Sequence, residues 1–393
     1  MIVRQFLHWL RHAAPGDRAE ATSALARAYL YSNLGPQDRS AAEGAIVMLL
    51  DDPSPLVRRA LAEVFAGSEH APPTVIHALA GDQPDVAAPV LARSPLLLDA
   101  DLVEFVATGE PARQAAVAFR ADLPCSVAAA IAEVGCAEAC LVLLENTGAE
   151  IVPFSLDRIV DRFGHLAAIR DALLAHSELP AATRQALVVK LSQALAEFVT
   201  ARAWLGEDRA RRITREACEK ATIVLAAESP EAEVRPLIRH LRESGQLTAG
   251  LILRALLSGN IEMFEEALAD LAQVPLSRAV GIIHDRRGAG FRALYQKAGL
   301  PASTFPAFRE ALDAMREEGF LSEPGGASRL KRRMIERVLT RCESEALDDI
   351  EPLLTLLRRY AAEAAREEAR MFCDDLVAYG PIEADSELHP VAA

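Results

Sequence analysis

The sequence predicts an all-α fold in which short helix pairs stack in chain order, and three observations predict it. Apolar residues recur at three- and four-residue spacing in nearly every segment, and none alternates for long. Ala and Leu dominate a chain that is 51% hydrophobic but only 5% aromatic, and such small, unbranched side chains favour helices and let them approach closely. The third observation is a joint, Leu50-Asp51-Asp52-Pro53-Ser54-Pro55-Leu56-Val57-Arg58-Arg59-Ala60-Leu61-Ala62. A turn of Asp, Pro and Ser runs straight into an apolar-periodic helix with Val-Arg at its start. That joint marks a HEAT-type repeat, so the expected architecture is a right-handed HEAT-like α-solenoid of stacked helix pairs, with longer helices in its second half.

In chain order, the spacing predicts helices over residues 2–11, 18–32, 38–50, 55–66 and 73–80. Their boundaries carry turn chemistry: Ala14-Pro15-Gly16-Asp17, Leu34-Gly35-Pro36, Ala71-Pro72-Pro73 and Gly81-Asp82-Gln83-Pro84. A proline at the first helical position lacks only an N–H that would be orphaned anyway, so these prolines start helices. Aligning the turns gives Asp52…Val57…Leu61, then Asp82…Val86…Leu91, then Asn146…Ile151…Leu156, the first step being about 30 residues. One pair cannot bury its apolar stripe alone, so successive pairs must stack. The Asp or Asn is expected to cap the next helix, Arg58 to reach a neighbouring turn's carboxylate, and Pro89 to kink its helix.

Past Pro180 the rhythm lengthens. Leu187, Leu191, Leu195 and Phe198 mark one face of a helix over residues 180–202, and a second long helix over 207–227 stops at Ser229-Pro230. Shorter helices fill 231–318, Glu323-Pro324-Gly325-Gly326 reads as a linker, and a basic amphipathic helix over 328–342 precedes a long helix over 349–379. The expected organisation is therefore a HEAT-like array over 1–178, a continuing helical array over 179–322, C-terminal basic and amphipathic helices over 327–379, and a flexible tail over 380–393.

The net charge of −14 and a pI near 5.2 oppose general nucleic-acid binding, which needs a basic surface. The first 150 residues carry −9 of that charge. Basic residues are nearly all Arg; Lys190, Lys220, Lys297 and Lys331 are the only lysines. The six cysteines form no C-x-x-C, and no histidine lies at ligand spacing from Cys136 or Cys140, which suits small buried hydrophobes in a reducing compartment. Arg4 and Arg11 interrupt the N-terminal apolar run, so it is not read as a signal peptide, and no segment reaches the roughly 18 apolar residues of a membrane span. A cytoplasmic protein is expected.

Several stretches resemble one uncharacterised alphaproteobacterial family: Arg18-Ala19-Glu20-Ala21, Ala24-Leu25-Ala26-Arg27-Ala28-Tyr29-Leu30, Asp51-Asp52-Pro53-Ser54-Pro55-Leu56-Val57-Arg58, Val86-Ala87-Ala88-Pro89-Val90-Leu91, Leu143-Leu144-Glu145-Asn146, Phe264-Glu265-Glu266-Ala267-Leu268-Ala269 and Ala298-Gly299-Leu300-Pro301. The resemblance covers about residues 1–318. That family is a domain of unknown function with HEAT-like repeats, so the resemblance implies a bacterial α-solenoid and no activity.

Chemistry-bearing motifs are few. There is no His-Glu-x-x-His, no G-x-S-x-G and no Walker loop. His8 and His12 share a helical face, but no carboxylate or cysteine on that helix completes a metal site. Gly288-Ala289-Gly290-Phe291-Arg292-Ala293 fits G-x-G-x-x-A by letter, yet no strand feeds it, so it is not a dinucleotide loop. A candidate anion or partner site remains there: Gly288 and Gly290 let backbone N–H groups converge, and Arg286 and Arg287, beside His284, offer bidentate contacts. Arg329, Arg333, Arg337 and Arg341 recur every four residues as a candidate docking stripe, the bland alternative being pairing with nearby acidic residues. The cluster Arg202, Arg209, Arg211, Arg212 and Arg215 poses the same choice.

These readings give no catalytic residue, no metal and no cofactor. The expected function is a non-enzymatic scaffold or adaptor whose curved helical surface binds another protein. The alternatives are a HEAT-like nucleic-acid-binding or DNA-repair glycosylase-type protein, which the acidic balance opposes, and a repeat-type lyase or hydrolase needing an acid–base pair that sequence alone does not reveal.

Overall fold

A computed structural model describes residues 8–9, 12–176, 179–285, 290–318, 326–344 and 351–379. Twenty-one α-helices fill the described residues. Strand pairing there is limited to one parallel bridge between Leu123 and Ala149. The chain divides into two compact units, Met1–Gly206 and Glu207–Ala393.

The first unit holds α1 (Pro15–Tyr31), α2 (Pro36–Leu49), α3 (Pro55–Phe65), α4 (Pro73–Ala80), α5 (Pro84–Arg93), α6 (Asp99–Thr108), α7 (Pro111–Ala118), α8 (Cys125–Val134), α9 (Ala137–Glu145), α10 (Pro153–Phe163), α11 (Ala167–Leu174) and α12 (Ala181–Ala201). Seven of these helices open on a proline, each behind a residue with non-helical ψ. The fixed φ of proline thus sets the start, and no side-chain cap is made at any of the seven.

Each helix of the odd series packs on the one two places further along, α1 on α3, α3 on α5, and so on to α11; α6, α8, α10 and α12 do the same. The buried faces follow helical spacing. Val57, Leu61 and Phe65 of α3 are fully buried, and the Phe65 ring meets Tyr29 of α1 edge-on at 6.2 Å. Small residues sit where neighbours come close: Ala87, Ala118, Ala128 and Ala139 have no solvent exposure.

Arginines stitch one turn to the next. Arg18 binds both carboxylate oxygens of Asp52 at 3.0 and 2.8 Å. Arg58 binds both of Asp82 at 2.5 and 3.0 Å and donates to the Asp52 carbonyl at 2.7 Å. Further on, Arg120 donates to the carbonyls of Leu91 and Ser94, Asn146 to those of Ala118 and Arg120, and Arg162 to those of Ala132 and Gly135. Arg58 therefore reaches the neighbouring turn, as its position suggested. The aspartate does not cap the helix: the N-cap position falls on Ser54, and Asp52, two residues earlier, accepts from Ser54 N at 2.8 Å and so folds the turn.

The second unit holds α13 (Glu207–Glu228), α14 (Glu231–Glu243), α15 (Ala249–Leu257), α16 (Ile261–Ala272), α17 (Leu276–Ile283), α18 (Phe291–Lys297), α19 (Phe305–Glu318), α20 (Gly326–Ser344) and α21 (Glu351–Tyr379). α15 is buried on every side from Leu251 to Leu257, the pattern of a central helix. Thr248 caps it through a bond from Leu251 N, and Asn260 caps α16 through one from Met263 N. Between them Gly259 takes a φ of 77°, a left-handed conformation that glycine adopts freely and that lets the chain reverse within three residues. α16 packs on α14, α15, α17 and α18; α19 packs on α15 and α20, and α20 on α21.

Candidate functional site

One residue breaks the apolar run of the central helix. Arg254 lies in α15 among Leu251, Ile252, Leu253, Ala255, Leu256 and Leu257, and it is 6% exposed. A buried guanidinium must be paired, since a lone charge out of water is costly. Arg254 Nη1 donates to Glu363 Oε2 at 2.7 Å, and its plane lies 4.1 Å above the Tyr360 ring. Nε stands 3.6 Å from Glu219 Oε2, too far for a hydrogen bond, and has no hydrogen-bond partner. Tyr360 Oη donates to the Gly250 carbonyl at 3.1 Å, which ties α21 to the start of α15.

A second cation continues the cluster. Lys220 Nζ of α13 is 3.0 Å from Glu367 and 4.0 Å from Glu363, so α21 presents two carboxylates, one helical turn apart, to Lys220 and Arg254. Arg359 of α21 pairs with Glu216 of α13. Burial pushes the Tyr360 phenol up to about 12. Burial also raises the Glu219 carboxyl above its usual range, although Arg254 pulls the other way.

Beside this cluster opens a groove of about 510 Å³, within the size range of ligand and peptide pockets. Its apolar lining is Ile223, Val224 and Ala227 of α13 with Ile261 of α16, and its charged lining includes Lys220, Arg254 and Glu367. Glu228 and Glu262 also line it. Among the described residues no group of three or more His, Cys, Asp or Glu is placed to hold a metal ion.

The raised Glu219 carboxyl has a pH consequence. The folded unit retains a proton on this group at pH values where the unfolded chain has released it. Stability therefore falls as pH rises from the ordinary carboxylate range through the raised folded value. Glu219→Gln is expected to remove that part of the slope. Melting temperatures of both chains measured across this range check it; parallel curves would contradict it.

The residues singled out from the sequence lie elsewhere. His284 follows α17, and its Nε2 is 2.6 Å from Glu265 Oε1, so a carboxylate occupies one ring nitrogen. Arg286, Arg287 and Gly288 lie outside the described residues. Gly290 precedes α18 with a φ of −83°, an ordinary right-handed conformation, and α18 is only seven residues long. Arg329, Arg333, Arg337 and Arg341 all lie in α20. The side chains of Arg329 and Arg333 are outside the described residues; Arg337 is half-buried, and Arg341 comes to 3.8 Å from Glu310. Their neighbour Arg332 is held by Glu336 at 2.7 Å and Glu368 at 2.9 Å. Arg254, Glu219, Glu363 and Tyr360 were missed in the sequence. The available signal was an arginine inside the otherwise apolar run Leu251 to Leu257, a position that demands a buried counter-charge.

The molecule is thus an all-helical protein whose second unit carries a charged groove, with no membrane-crossing helix among its described residues. Residues 86–348 match the model of a bacterial family described as "Uncharacterised protein conserved in bacteria (DUF2336)", and the chain belongs to that family. Neither a curated protein nor a solved structure matches it. Lys220 and Arg254 fall within the matched stretch, whereas α21, with Tyr360, Glu363 and Glu367, lies beyond it.

Proposed function

We propose that the protein is a non-enzymatic scaffold or adaptor of the bacterial cytoplasm, its first unit a HEAT-like α-solenoid that binds another protein. The observation that carries this reading is the ladder of Arg and Asn side chains in the first unit. The bonds from Arg58 to Asp82, Asn146 to Ala118 and Arg162 to Gly135 span 24, 28 and 27 residues, close to one helix pair each. Side chains devoted to locking successive pairs produce a stiff, extended surface, which is how repeat arrays recognise proteins. The paired state of Arg254 and Lys220 supports the same reading over nucleic-acid binding, because cations already neutralised by carboxylates release few counterions from a phosphate backbone.

Affinity capture from the native cell, followed by reconstitution with purified components, tests it. The expected result is a stable complex of defined stoichiometry with at least one other protein. Tight binding of duplex DNA at low salt that collapses as salt is raised would replace this reading with the nucleic-acid alternative.

A further inference from the structure

We infer that the groove between α13, α15 and α16 is a docking site for an acidic helix of another protein, and that α21 fills part of it as an internal stand-in. This deepens the protein-interaction reading and rests on it.

Charge complementarity selects the occupant. The family-matched stretch contributes two cations to one edge of the groove, Arg254 and Lys220, and each is met by a carboxylate from α21. Glu363 and Glu367 are four residues apart, one turn of a single helix face, so the shape that answers this edge is a helix carrying such a pair. The lining continues past them with Ile223, Val224 and Ile261, of which Val224 is 46% exposed, so the occupant must also bring apolar side chains. Glu228 and Glu262 then require a neutral or basic residue beyond the acidic pair. In its own sequence α21 carries Arg370 one turn after Glu367.

The part of the present occupant proposed to exchange is its C-terminal half. Along α21 the apolar positions Leu353, Leu354, Leu357, Tyr360 and Ala364 are buried, but from Ala365 to Asp374 no described side chain is. The segment bearing Glu367 is therefore retained by charge more than by burial, and charge contacts at the surface weaken with salt. Glu363 also engages Arg254 through Nη1 alone, leaving the buried Nε–H without a hydrogen bond. A carboxylate that grips the guanidinium with two parallel bonds makes a stronger contact.

The test uses the full chain and a synthetic peptide of residues 351–379 labelled for anisotropy. The Glu363→Gln/Glu367→Gln chain is expected to bind the peptide about tenfold tighter than wild type at low salt, and less tightly as salt rises. A peptide with both glutamates changed to Gln should not bind, and adding Lys220→Ala to the protein should weaken capture. Equal binding to wild type and variant, or none by a variant that keeps the wild-type melt, overturns the proposal. Should the variant lose its cooperative melt, hydrogen exchange on wild type decides: residues 363–374 must exchange faster at high salt while Leu251–Leu257 stays protected, and unchanged rates overturn it. A concentration-dependent dimer built through the second copy's α21 would overturn the assignment to a different protein. Peptide capture without any cellular partner would sink the scaffold reading and keep the groove. A cellular partner indifferent to Lys220→Ala would sink the groove and keep the scaffold.

Discussion

Replacing Arg254 by methionine is expected to destabilise the second unit by about 3–5 kcal/mol, the usual cost of removing one partner from a buried ion pair. The arginine is 6% exposed, and it stands against both Glu219 and Glu363. Without it Glu219 and Glu363 lose the cation they share, and Tyr360 loses the cation stacked on its ring. Methionine fills similar volume, so the loss reports electrostatics more than a cavity. Adding Glu219→Leu and Glu363→Leu to the same chain should recover most of the loss, because a packed apolar cluster of similar size often matches or exceeds the ionic one. Urea unfolding followed by circular dichroism, with hydrogen exchange to assign the transition to Leu251–Leu257, checks both arms. A single substitution costing less than about 1 kcal/mol, the range of a surface pair, would mean that Arg254 is solvated and not the centre of the cluster.

Local features were legible in the sequence where the chain itself enforces them. The spacing placed helices over 55–66 and 73–80, and the structure has Pro55–Phe65 and Pro73–Ala80. Each begins where proline leaves no alternative start, so the boundary depends on covalent geometry and not on the fold. The reach of Arg58 was legible for a similar reason, since one repeat step is enough to bring Asp82 within range of its guanidinium. The apolar stripe of α12 shows the limit. Leu187 is buried, but Leu191, Leu195 and Phe198 are 41–51% exposed. Periodicity reveals that a face exists; it does not reveal what covers it. The groove was less legible still. Arg254 and Glu363 are 109 residues apart, and nothing local marks either as the other's partner. The His284 region was singled out for its glycines and arginines; Gly290 takes an ordinary right-handed conformation, and Arg286, Arg287 and Gly288 lie outside the described residues.

Two glycine-to-alanine changes in the first unit should shift stability in opposite directions. Gly148 follows the turn at Asn146, whose Oδ1 accepts from Gly148 N at 2.9 Å while its amide donates to the carbonyls of Ala118 and Arg120. The Gly148 carbonyl in turn accepts from Leu123 N at 3.1 Å. This close approach leaves no room for a side chain: a Cβ at Gly148 would lie 1.7 Å from the Ala121 carbonyl oxygen, a backbone atom that cannot swing aside. Gly148→Ala must therefore push apart the Leu123 and Ala149 segments and strand the donors of Asn146, at a cost of about 3 kcal/mol or more. Gly44 is the opposite case. It sits exposed inside α2, where an added Cβ meets nothing within 4 Å, and helical glycine carries an entropic cost with no packing return. Gly44→Ala is expected to stabilise the chain by about 0.5–1 kcal/mol. Thermal melts of the two variants beside wild type provide the measurement. A lowered melting temperature for Gly148→Ala with a raised one for Gly44→Ala is the required pattern; a neutral Gly148→Ala would show that the turn at Asn146 does not lock the α7–α8 connection to the chain that follows α9.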